Sequence, residues 1–385
     1  MAEGNGSRKS NELLIVGAST RAAAYSAIRA GCTPVCYDFY ADSDTQAVAE
    51  VHQIADPQQL VALICQRPPA EVMYVGGIEN APDVLTCLSE KHHLIGNPLE
   101  TVQKIRPVSE LKQGLRLARV NIPESRTADD PPPADGTWCL KPVHSAGGFG
   151  IAVWDEHAQD HPTLKREHIY QQRVTGVPYS ALFVASGKPG DVRFVGITQQ
   201  ILGDPNCNAD TFQWCGNIGP CILDVGIEHR IRRVGNILKS MFGMKGIFGI
   251  DFVLDENEEP WLIEVNPRYP GSTELLEHIT GYPLLVDHCL AFDFDGELNP
   301  PWGHAIQSDF VAKAIYYSPR DFEVASLLAE PASPEVFPNI TDIPTVGTKF
   351  QMGDPVCSVF ATGSTLVDCH VSLQQQLQRV ASWMA

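Results

Sequence analysis

Two oxygen-bearing side chains stand two residues apart in the segment WLIEVNPRYPGS (261–272): Glu264 and Asn266, with Arg268 just beyond them. Residues two apart in a β-strand point to the same side of the sheet. Three apolar residues alternate with them and predict the buried face of a strand: Trp261, Ile263 and Val265. The opposite face is therefore either a solvated surface or a place where a positively charged group binds.

A second strand is predicted just before this one, in the segment GIDFVLDENEEPWLIEVNPR (249–268), where large apolar residues alternate with smaller or polar ones. A polar turn, DENEEP, joins the two strands. If Leu254 pairs with Trp261, all the large apolar residues fall on one face of the hairpin. That register places Asp251 directly opposite Glu264 on the other face.

The predicted carboxylate pair is a candidate metal site. Directly opposed carboxylates destabilise a hairpin, but a hard dication beside them reverses the sign of that interaction. Magnesium takes oxygen ligands, commonly a few carboxylates together with nucleotide phosphates. Asp251, Glu264 and Asn266 are therefore the candidate ligands, and a solvated sheet face with one charged pair is the simpler alternative.

A lysine and a glycine-rich loop form a second candidate site, in WCLKPVHSAGGFGIAVW (138–154). The pattern predicts a strand that ends near Lys141, then a loop and another strand. Glycines let backbone N–H groups of such a loop approach phosphate closely, although no Walker motif is present. A flexible hairpin turn is the alternative, and co-occurrence with the carboxylate hairpin favours phosphate. The candidate loop residues are Ser145, Ala146, Gly147, Gly148 and Gly150.

The segment IYQQRVTGVPYSALFVA (169–185) predicts two strands separated by a bend at Gly176. Such a bend can hold a purine between apolar side chains, while its backbone amide and carbonyl groups contact the base edge. By itself, the segment is more typical of an ordinary bent hairpin.

The elements that must position these residues form an α/β arrangement. LLIVGASTRAAAYSAIRAG (13–31) predicts strand, turn and helix, and TPVCYDF and EVMYVGGIEN predict further strands. Strands that alternate with helices are typical of a doubly wound parallel sheet. A composition break near 293–303 precedes short antiparallel strands and an amphipathic helix. The predicted domains are an N-terminal α/β domain at 1–105, a second domain at 106–300, and a small β-rich region with a terminal helix at 301–385.

Composition excludes several classes of protein. The chain has 385 residues, enough for two or three domains, and 44% of them are hydrophobic, as in globular proteins. A formal net charge of −18 argues against nucleic acid or an anionic membrane as a partner. No apolar run approaches the roughly 18 residues of a membrane span, and the polar start MAEGNGSRKS argues against a signal peptide. Eleven cysteines without a C-x-x-C pattern predict buried reduced thiols, no zinc site and a cytoplasmic location.

Taken together and in this order, the segments resemble the ATP-grasp superfamily of carboxylate–amine and carboxylate–thiol ligases, over roughly residues 10–300. The hairpin at 249–268 is the most specific part, since it resembles the metal-binding hairpin of D-alanine–D-alanine ligases and biotin carboxylases. The resemblance implies an ATP-grasp domain of two α+β lobes, with ATP and Mg²⁺ as cofactors. It also implies contact of Arg268 with the transferring phosphoryl group or acyl phosphate. The implied magnesium ligands are Asp251, Glu264 and Asn266.

The same resemblance implies a nucleotide site. Lys141 matches the lysine on the nucleotide phosphates, and residues 145–150 match the flexible phosphate lid. PGST (270–273) is similar to the loop that faces the acceptor substrate. Two positions differ from the family pattern, since Pro178 stands where a ribose-binding glutamate is common and Arg106–Pro107 stand where a lysine is common. The residues that match the adenine-holding segment are Gln171, Gln172, Arg173 and Val174.

The implied reaction is ATP-dependent ligation. MgATP phosphorylates a carboxylate and an amine attacks the acyl phosphate, so the products are an amide, ADP and phosphate. The implied partners are two small molecules, a carboxylate and an amine, and a homo-oligomer is compatible with the fold. VGITQQILGDPN, WCGNIGP and GDPVCSVFATG also resemble a bacterial branch of predicted ATP-grasp ligases associated with methanopterin-linked one-carbon metabolism. That branch implies the biosynthesis of a one-carbon-carrier cofactor.

Two other functions are open at the level of sequence. GAST after a strand, with Asp38 downstream, is similar to a dinucleotide fingerprint and suggests an NAD-linked oxidoreductase. Ser19 and Ala22, however, replace glycines of the full G-x-G-x-x-G pattern. A non-catalytic ATP-binding regulatory protein would share the ATP-grasp fold. The second carboxylate, Glu264, and the cation Arg268 favour the ligase, because a sensor needs neither.

Overall fold

The computed structural model describes residues 11–106, 108–188, 190–298 and 308–385. The polar start at 1–10, Pro107 and the predicted boundary at 300/301 lie outside the described residues. None of the helices in the described ranges is long and apolar enough to cross a membrane.

The first five described strands form a parallel sheet: β1 (Glu12–Gly17), β2 (Thr33–Asp38), β3 (Glu50–Gln53), β4 (Glu71–Tyr74) and β5 (His93–Leu94). Their order in the sheet is β3-β2-β1-β4-β5, so the winding direction reverses between β1 and β4. The β1 residues 13–16 are fully buried, as expected for a strand that is covered on both faces. Four helices follow these strands in turn: α1 (Arg21–Arg29), α2 (Ser43–Gln46), α3 (Pro57–Ile64) and α4 (Pro82–Lys91). The predicted doubly wound sheet is confirmed.

Two helices, α5 (Leu99–Ile105) and α6 (Val108–Leu115), lead to a small antiparallel sheet. Its described strands are β6 (Ser125–Thr127), β7 (Trp138–Pro142), β8 (Ala152–Trp154) and β9 (His168–Gln172), in the order β6-β9-β7-β8. One face of this sheet is apolar, because Trp138, Leu140, Trp154 and Tyr170 pack together there. The other face carries Lys141.

The remaining described strands are β10 (Val177–Ala185), β11 (Val192–Leu202), β12 (Trp214–Gly219), β13 (Gly246–Leu254), β14 (Pro260–Asn266), β15 (Phe310–Tyr317), β16 (Phe322–Glu323), β17 (Ile340–Thr341), β18 (Lys349–Phe350) and β19 (Pro355–Gly363). In the ranges that the structure describes, eight of them form one large sheet in the order β14-β13-β10-β11-β12-β15-β19-β17. The other two, β16 and β18, pair with each other. The helices of this part are α7 (Val225–Phe242), α8 (Ser272–Thr280), α9 (Leu285–Ala291) and α10 (Leu366–Trp383).

Helix α7 covers the sheet behind β10 and β13. It begins after Asp224, whose side chain accepts a hydrogen bond from the Gly226 N–H, and it ends at Gly243, where φ is 73°. Ile231, Val234 and other apolar residues of one helix face are buried in the same core as the alternate residues of β13. This packing fixes the apolar face of the hairpin and turns its polar face toward the opposite side of the sheet.

The C-terminal strands extend the same large sheet. β15 pairs with β12 on one side and with β19 on the other. α10 covers them with Cys369, Leu373, Leu377 and Val380, whose spacing confirms the predicted amphipathic helix. The limits of the three predicted domains stay predictions.

The predicted carboxylate hairpin is β13 and β14. Asp251 lies directly opposite Glu264, as predicted. Toward the turn, the predicted pairing of Leu254 with Trp261 is wrong, because a β-bulge follows Asp251 and Trp261 pairs with Val253 instead. A bulge places two residues of one strand against one of the other and shifts the register beyond it by one residue.

The bulge also changes which side chains of β14 are buried. Leu262 is 2% exposed, whereas Trp261, Ile263 and Val265 are half-buried. The prediction of Trp261 and Ile263 as core residues is therefore wrong, since the shifted register turns Leu262 toward the core in their place. In β13 the predicted alternation is confirmed by four buried residues: Phe248, Ile250, Phe252 and Leu254.

Nine of the eleven cysteines are free thiols, and seven of these nine are buried. The sulfur atoms of Cys65 and Cys87 lie next to each other, and the prediction of reduced thiols stays a prediction for this pair. The two cysteines are 22 residues apart and belong to no spacing motif, so the sequence carries no local signal for their contact.

Candidate active site

A cleft of about 1410 Å³ lies between the small sheet and the large sheet and reaches the carboxyl ends of β1 and β4. All but one of the predicted site residues line it, although they come from segments far apart in sequence. Gly150, the exception, lines a smaller neighbouring pocket. The residues in the cleft are Lys141, Ser145, Gly147, Gly148, Gln171, Gln172, Val174, Asp251, Glu264, Asn266 and Arg268.

Asp251 is held in place by neutral polar side chains. The Ser180 hydroxyl donates to Asp251 Oδ1 at 2.6 Å, and the Asn266 amide donates to Asp251 Oδ2 at 3.0 Å. Gln200 Nε2 in turn donates to Ser180 Oγ at 2.8 Å. Burial, and then the charge of Glu264, raise the pKa of Asp251 to about 6. A dication at this pair would favour the ionised carboxylates, because it reverses that repulsion.

The remaining oxygen atoms of the site fit a hard cation. Asn266 uses Nδ2 on Asp251, which leaves its Oδ1 as a neutral ligand. Glu264 is exposed to the cleft, and no hydrogen bond or ion pair within the described ranges occupies its carboxylate. No group of three His, Cys, Asp or Glu side chains in the described chain could hold a metal ion. Binding of Mg²⁺ here therefore requires two carboxylates, one amide oxygen and further oxygens from a phosphate or water.

Arg268 is buried next to the hairpin and is held by a residue that the sequence did not single out. Its Nε donates to Glu79 Oε1 at 2.9 Å, and the two side chains are 13% and 11% exposed. Glu79 belongs to the short turn Ile78–Asn80 after β4, so the first sheet positions this arginine. Burial alone would lower the pKa of Arg268, but the charge of Glu79 raises it and the guanidinium stays charged.

Lys141 projects from the polar face of the small sheet. It pairs with Ile169, and Cys139 pairs with Gln171, so these four side chains share the face that lines the cleft. Lys141 is half-buried. Among the described residues, no carboxylate or carbonyl oxygen pairs with its ammonium group, which leaves that group available to an anion in the cleft.

The glycine-rich loop has three glycines in the left-handed region, with φ of 63°, 78° and 75°: Gly147, Gly148 and Gly150. A Cβ on Gly148 would lie 2.0 Å from the Phe212 carbonyl oxygen. The Trp214 N–H donates to the carbonyl oxygen of the preceding glycine at 2.9 Å, so the loop docks on segment 212–214. Asn80 Nδ2 donates to the Ser145 carbonyl oxygen at 3.3 Å. Packing thus gives Gly148 its own reason to be glycine, beside any approach to phosphate.

The predicted adenine segment follows β9. Gln171 and Val174 line the cleft, together with Gln172, whose side-chain oxygen accepts a hydrogen bond from the Glu124 N–H at 3.2 Å. Gly176 forms the predicted bend, and a Cβ there would lie 2.0 Å from a carbonyl oxygen of β13. Gly176 therefore lies against the end of β13, where the chain leaves the small sheet and enters the large sheet through β10.

Comparison with known proteins identifies the part of the chain that holds these residues. Residues 109–272 match the family model of the ATP-grasp domain. This segment is an ATP-grasp domain. It contains the lysine, the glycine-rich loop, the bend and the carboxylate hairpin, and it ends just after Arg268.

One curated relative matches part of this chain. The chain is 25% identical over 169 residues to the arginine-specific large chain of carbamoyl phosphate synthase from Bacillus subtilis (strain 168). The match covers 42% of this chain and 16% of the relative, so the chain spans about a sixth of that protein's length.

Solved structures show the same fold over nearly the whole chain. An L-amino acid ligase from Bacillus licheniformis has a TM-score of 0.69 at 15% identity, with coverage of 97% of this chain and 98% of that one. The carboxyaminoimidazole ribonucleotide synthase of Aspergillus clavatus has a TM-score of 0.68 at 14% identity, with coverage of 97% and 99%. The biotin carboxylase domain of a Hydrogenobacter thermophilus 2-oxoglutarate carboxylase has a TM-score of 0.68 at 12% identity, with coverage of 93% and 87%.

The structure distinguishes two basic residues that precede the ATP-grasp domain. Lys104 pairs with Glu100 at 2.6 Å on the surface and does not line the cleft. Arg106 does line it, and its Nη2 donates to the Glu79 carbonyl oxygen at 2.6 Å and to Asn80 Oδ1 at 2.7 Å. Of these two basic residues, Arg106 is therefore the one that reaches the cleft.

Asp38 is used inside the protein rather than in the cleft. It is 1% exposed, and its Oδ2 accepts hydrogen bonds from the Thr20 N–H at 2.5 Å and the Thr20 hydroxyl at 2.8 Å. Its Oδ1 accepts from the N–H groups of Tyr40 and Ala41. The NAD-linked oxidoreductase considered from the sequence therefore lacks the carboxylate that would bind a ribose.

A buried charge cluster lies where the first sheet, α8 and the C-terminal strands meet, and no sequence motif indicates it. It consists of Arg21, Asp44, Glu274, Lys313 and Asp342. Arg21 is fully buried and forms ion pairs with three carboxylates, and Lys313 Nζ donates to Glu274 Oε2 at 2.8 Å. Burial alone would raise the pKa of Glu274, but the two cations hold that pKa well below its ordinary value. The cluster ties α1 to α8 and to the C-terminal region.

Proposed function

We propose that the chain is an ATP-dependent carboxylate–amine ligase that uses ATP and Mg²⁺. One observation carries the proposal: the carboxylate hairpin, Arg268 and Lys141 line the same cleft, and all of them belong to the segment that matches the ATP-grasp domain. Two of the similar structures support the cofactors, since the Hydrogenobacter domain was crystallised with MgADP and the Aspergillus synthase with ATP. The proposed products are an amide, ADP and phosphate, formed through an acyl phosphate.

The chain's own residues would bind and neutralise the phosphates. Lys141 carries a charge with no protein partner among the described residues, so it is free to pair with phosphate oxygens. Asp251, Glu264 and Asn266 would hold Mg²⁺, which supplies positive charge against the phosphates when bound. Arg268 lies two residues beyond Asn266, where it can stabilise the charge on the phosphoryl group as that group moves.

Two bond-making steps complete the reaction. A carboxylate oxygen of the first substrate attacks the γ-phosphorus, the bond to the β,γ-bridging oxygen breaks, and ADP leaves. The neutral amine of the second substrate then attacks the acyl carbon, phosphate leaves, and the amine proton passes to the departing phosphate or to water. The docked loop at 145–150 is suited to keep water away from the acyl phosphate between the two steps.

The metabolic role, the cellular location and the oligomeric state of the protein stay predictions. No residue of the cleft identifies a one-carbon-carrier cofactor as substrate, and the proposed association with its biosynthesis rests on the sequence resemblance alone. The cytoplasmic location likewise rests on the cysteine pattern. A homo-oligomer likewise stays a prediction.

Hydroxylamine trapping tests the proposed function. Hydroxylamine is small enough to replace the amine substrate, so MgATP with a panel of carboxylates should give ADP, phosphate and a hydroxamate for the correct carboxylate. Arg268→Ala should lower turnover by about a hundredfold or more, with a smaller effect on ATP affinity. The hydroxamate is measured by mass spectrometry and the nucleotide products by chromatography.

The nucleotide product separates the outcomes. AMP and pyrophosphate instead of ADP would contradict the acyl-phosphate mechanism. Calorimetric binding of ATP without turnover on any carboxylate would favour a non-catalytic nucleotide-binding protein instead. Asp204→Asn is the control for a general effect of changing a charge in the cleft. Asp204 also lines the cleft, but its carboxylate already accepts a hydrogen bond from the Asn206 N–H at 2.8 Å. That variant should keep wild-type turnover.

A further inference from the structure

Trp214 stands where the glycine-rich loop meets the loop before α8. It begins β12, it is half-buried, and it lines the cleft. The outer edge of its indole ring fills the space beside Gly271, because a Cβ on that glycine would lie 2.5 Å from Trp214 Cη2. Gly271 follows Arg268 closely in the chain. The indole therefore lies beside the part of the cleft in which the proposed phosphoryl transfer takes place.

The indole of Trp214 is held in place by hydrogen bonds. Its Nε1 donates to Asn217 Oδ1 at 2.9 Å, and Asn217 Nδ2 donates in turn to Thr198 Oγ1 at 2.9 Å. The Trp214 carbonyl oxygen accepts a hydrogen bond from the Tyr317 hydroxyl at 2.8 Å. Since the nitrogen edge and the outer edge of the indole both contact the protein, a ring face remains for the cleft. A ring fixed in this way loses little conformational freedom when a ligand packs on it.

The glycine-rich loop brings a second aromatic ring to the same place. Phe149 is the one large apolar side chain of the loop at 145–150, and it is 48% exposed. Its ring lies edge-on to Tyr317, with a centroid distance of 6.1 Å and an interplanar angle of 78°. Tyr317 is also the donor to the Trp214 carbonyl oxygen, so contacts connect the three aromatic residues. All three line the cleft.

The two rings at this position are suited to bind a ligand. Neither Trp214 nor Phe149 belongs to a buried core cluster of the described chain, so core packing accounts for neither of them. Aromatic side chains on the wall of a cleft are typical of sites for small molecules. A ring face attracts another ring, and it also attracts a cation. A cation is disfavoured here, because the loop that touches the indole follows Arg268, whose guanidinium stays charged.

We propose that one of the two substrates carries an aromatic ring, which packs on the indole face of Trp214 next to Phe149. The inference rests on the proposed ligase function and deepens it, since it gives a chemical class for a substrate. Because the indole touches the loop just after Arg268, the aromatic ring is close to the reacting group of that substrate. Trp214 and Phe149 select the substrate and take no part in bond formation.

Binding of matched ring compounds to the full chain tests this proposal without turnover. The protein is saturated with MgADP, so that the adenine site is occupied. It is then titrated by calorimetry with carboxylic acids and amines, each carrying a one-ring or a fused two-ring aromatic group, and with their fully saturated counterparts. At least one aromatic compound should bind at least about threefold more tightly than its saturated counterpart, because two rings attract each other beyond the area that they bury.

Three variants locate the aromatic preference. Trp214→Leu should bring the affinities of the aromatic compound and its saturated counterpart close to equality, whereas Trp214→Phe keeps a ring and should retain most of the difference. Both substitutions remove the hydrogen bond to Asn217, so the comparison between them isolates the ring. Phe149→Leu should lower the preference as well.

The matched control is Trp383→Leu. Trp383 is also half-buried, but it packs against Phe322 and does not line the cleft, so this variant should keep the wild-type preference. The comparison of aromatic and saturated compounds in the wild-type protein gives an answer that does not depend on whether any variant folds.

Five results would overturn the proposal. They are that no aromatic compound of the panel binds, that the saturated counterparts bind equally well, that Trp214→Leu keeps the aromatic preference, that the aromatic compound displaces MgADP, or that tetramethylammonium binds at Trp214 in preference to the aromatic compounds. Displacement of MgADP would place the ring in the adenine site, and preference for tetramethylammonium would make Trp214 a site for cations.

The proposed ligase function fails separately from this proposal. If an aromatic compound binds in a Trp214-dependent way but no carboxylate gives ADP with hydroxylamine, the ligase chemistry is wrong and the aromatic site stands. If an aliphatic carboxylate and an aliphatic amine give ADP and an amide while no aromatic compound binds, the ligase chemistry stands and the aromatic site is wrong.

Discussion

Replacement of Glu79 by glutamine separates the positioning of Arg268 from its charge. Glu79 Oε1 accepts from Arg268 Nε at 2.9 Å, and both side chains are almost fully buried. Glutamine keeps the shape and one oxygen acceptor but removes the negative charge. The variant therefore leaves Arg268 in the protein and weakens the interaction that fixes its guanidinium.

The structure sets the size of the effect. Removal of one partner of a buried ion pair costs about 3–5 kcal/mol. Two features reduce that cost here, since glutamine still accepts a hydrogen bond and the charges of Glu264 and Asp251 still attract the guanidinium. We expect the free energy of unfolding to fall by about 2 kcal/mol. A displacement of a catalytic group by about 1 Å can cost about a hundredfold in rate, so kcat should fall by about 10- to 100-fold.

The assay measures ADP release with the carboxylate found by hydroxylamine trapping, together with denaturant unfolding of each variant. The double variant Glu79→Gln/Arg268→Ala should have the kcat of Arg268→Ala alone, because Glu79 acts through Arg268. ATP affinity should change little in Glu79→Gln. Wild-type turnover in Glu79→Gln, or rate losses of the two substitutions that multiply in the double variant, would refute the positioning role.

Three further predictions follow from the described contacts. Lys141→Ala should weaken ATP binding and slow turnover with an unchanged melting temperature, and equal nucleotide affinity by calorimetry would move the phosphate site elsewhere. Asp251→Asn should abolish the rise in melting temperature that Mg²⁺ with ADP gives the wild type, and a retained rise would contradict the metal site. Burial lowers the pKa of His288 to about 4 in the folded protein. The free energy of unfolding that depends on the neutral histidine is therefore fully present above the histidine's pKa in the unfolded state, and it is lost as pH falls below that pKa. Between pH 7.5 and 5.5 this histidine alone should remove about 1.3 kcal/mol of unfolding free energy, and His288→Gln should lose less stability over that range than the wild type.

The elements of the fold and the main pairing of the site could be predicted from local patterns. The sequence shows directly any pattern that involves residues close together in the chain. Two such patterns are the alternation of apolar residues in β13 and the succession of apolar strands and helices in the first hundred residues. The opposition of Asp251 and Glu264 followed from one assumed register. The bulge beyond it could not be predicted, because Trp261, Leu262 and Ile263 are all apolar and either register keeps an apolar residue toward the core.

The residues that the sequence did not single out are those whose partners lie far away in the chain. Glu79 and Arg268 are separated by 189 residues. Arg21 and Glu274 are separated by 253 residues, and nothing within one helical turn of either residue signals the contact. Gly148 has a packing reason to be glycine that only the position of segment 212–214 reveals. Periodicity reports which face of an element is buried, but it carries no information about which distant element covers that face.

The first sheet and the hairpin divide the proposed work of the cleft. The first sheet has the strand order and glycine turn of a nucleotide-binding domain. The Asp38 carboxylate, however, already accepts hydrogen bonds from Thr20 and from backbone N–H groups. What this sheet provides to the cleft is the charge of Glu79, at the strand end after β4. Glu79 holds Arg268 beside the proposed metal ligands. A chain with the same hairpin but a neutral residue in place of Glu79 should therefore keep nucleotide binding and lose much of its turnover, since the first sheet positions the arginine whereas the proposed nucleotide contacts lie in the ATP-grasp segment.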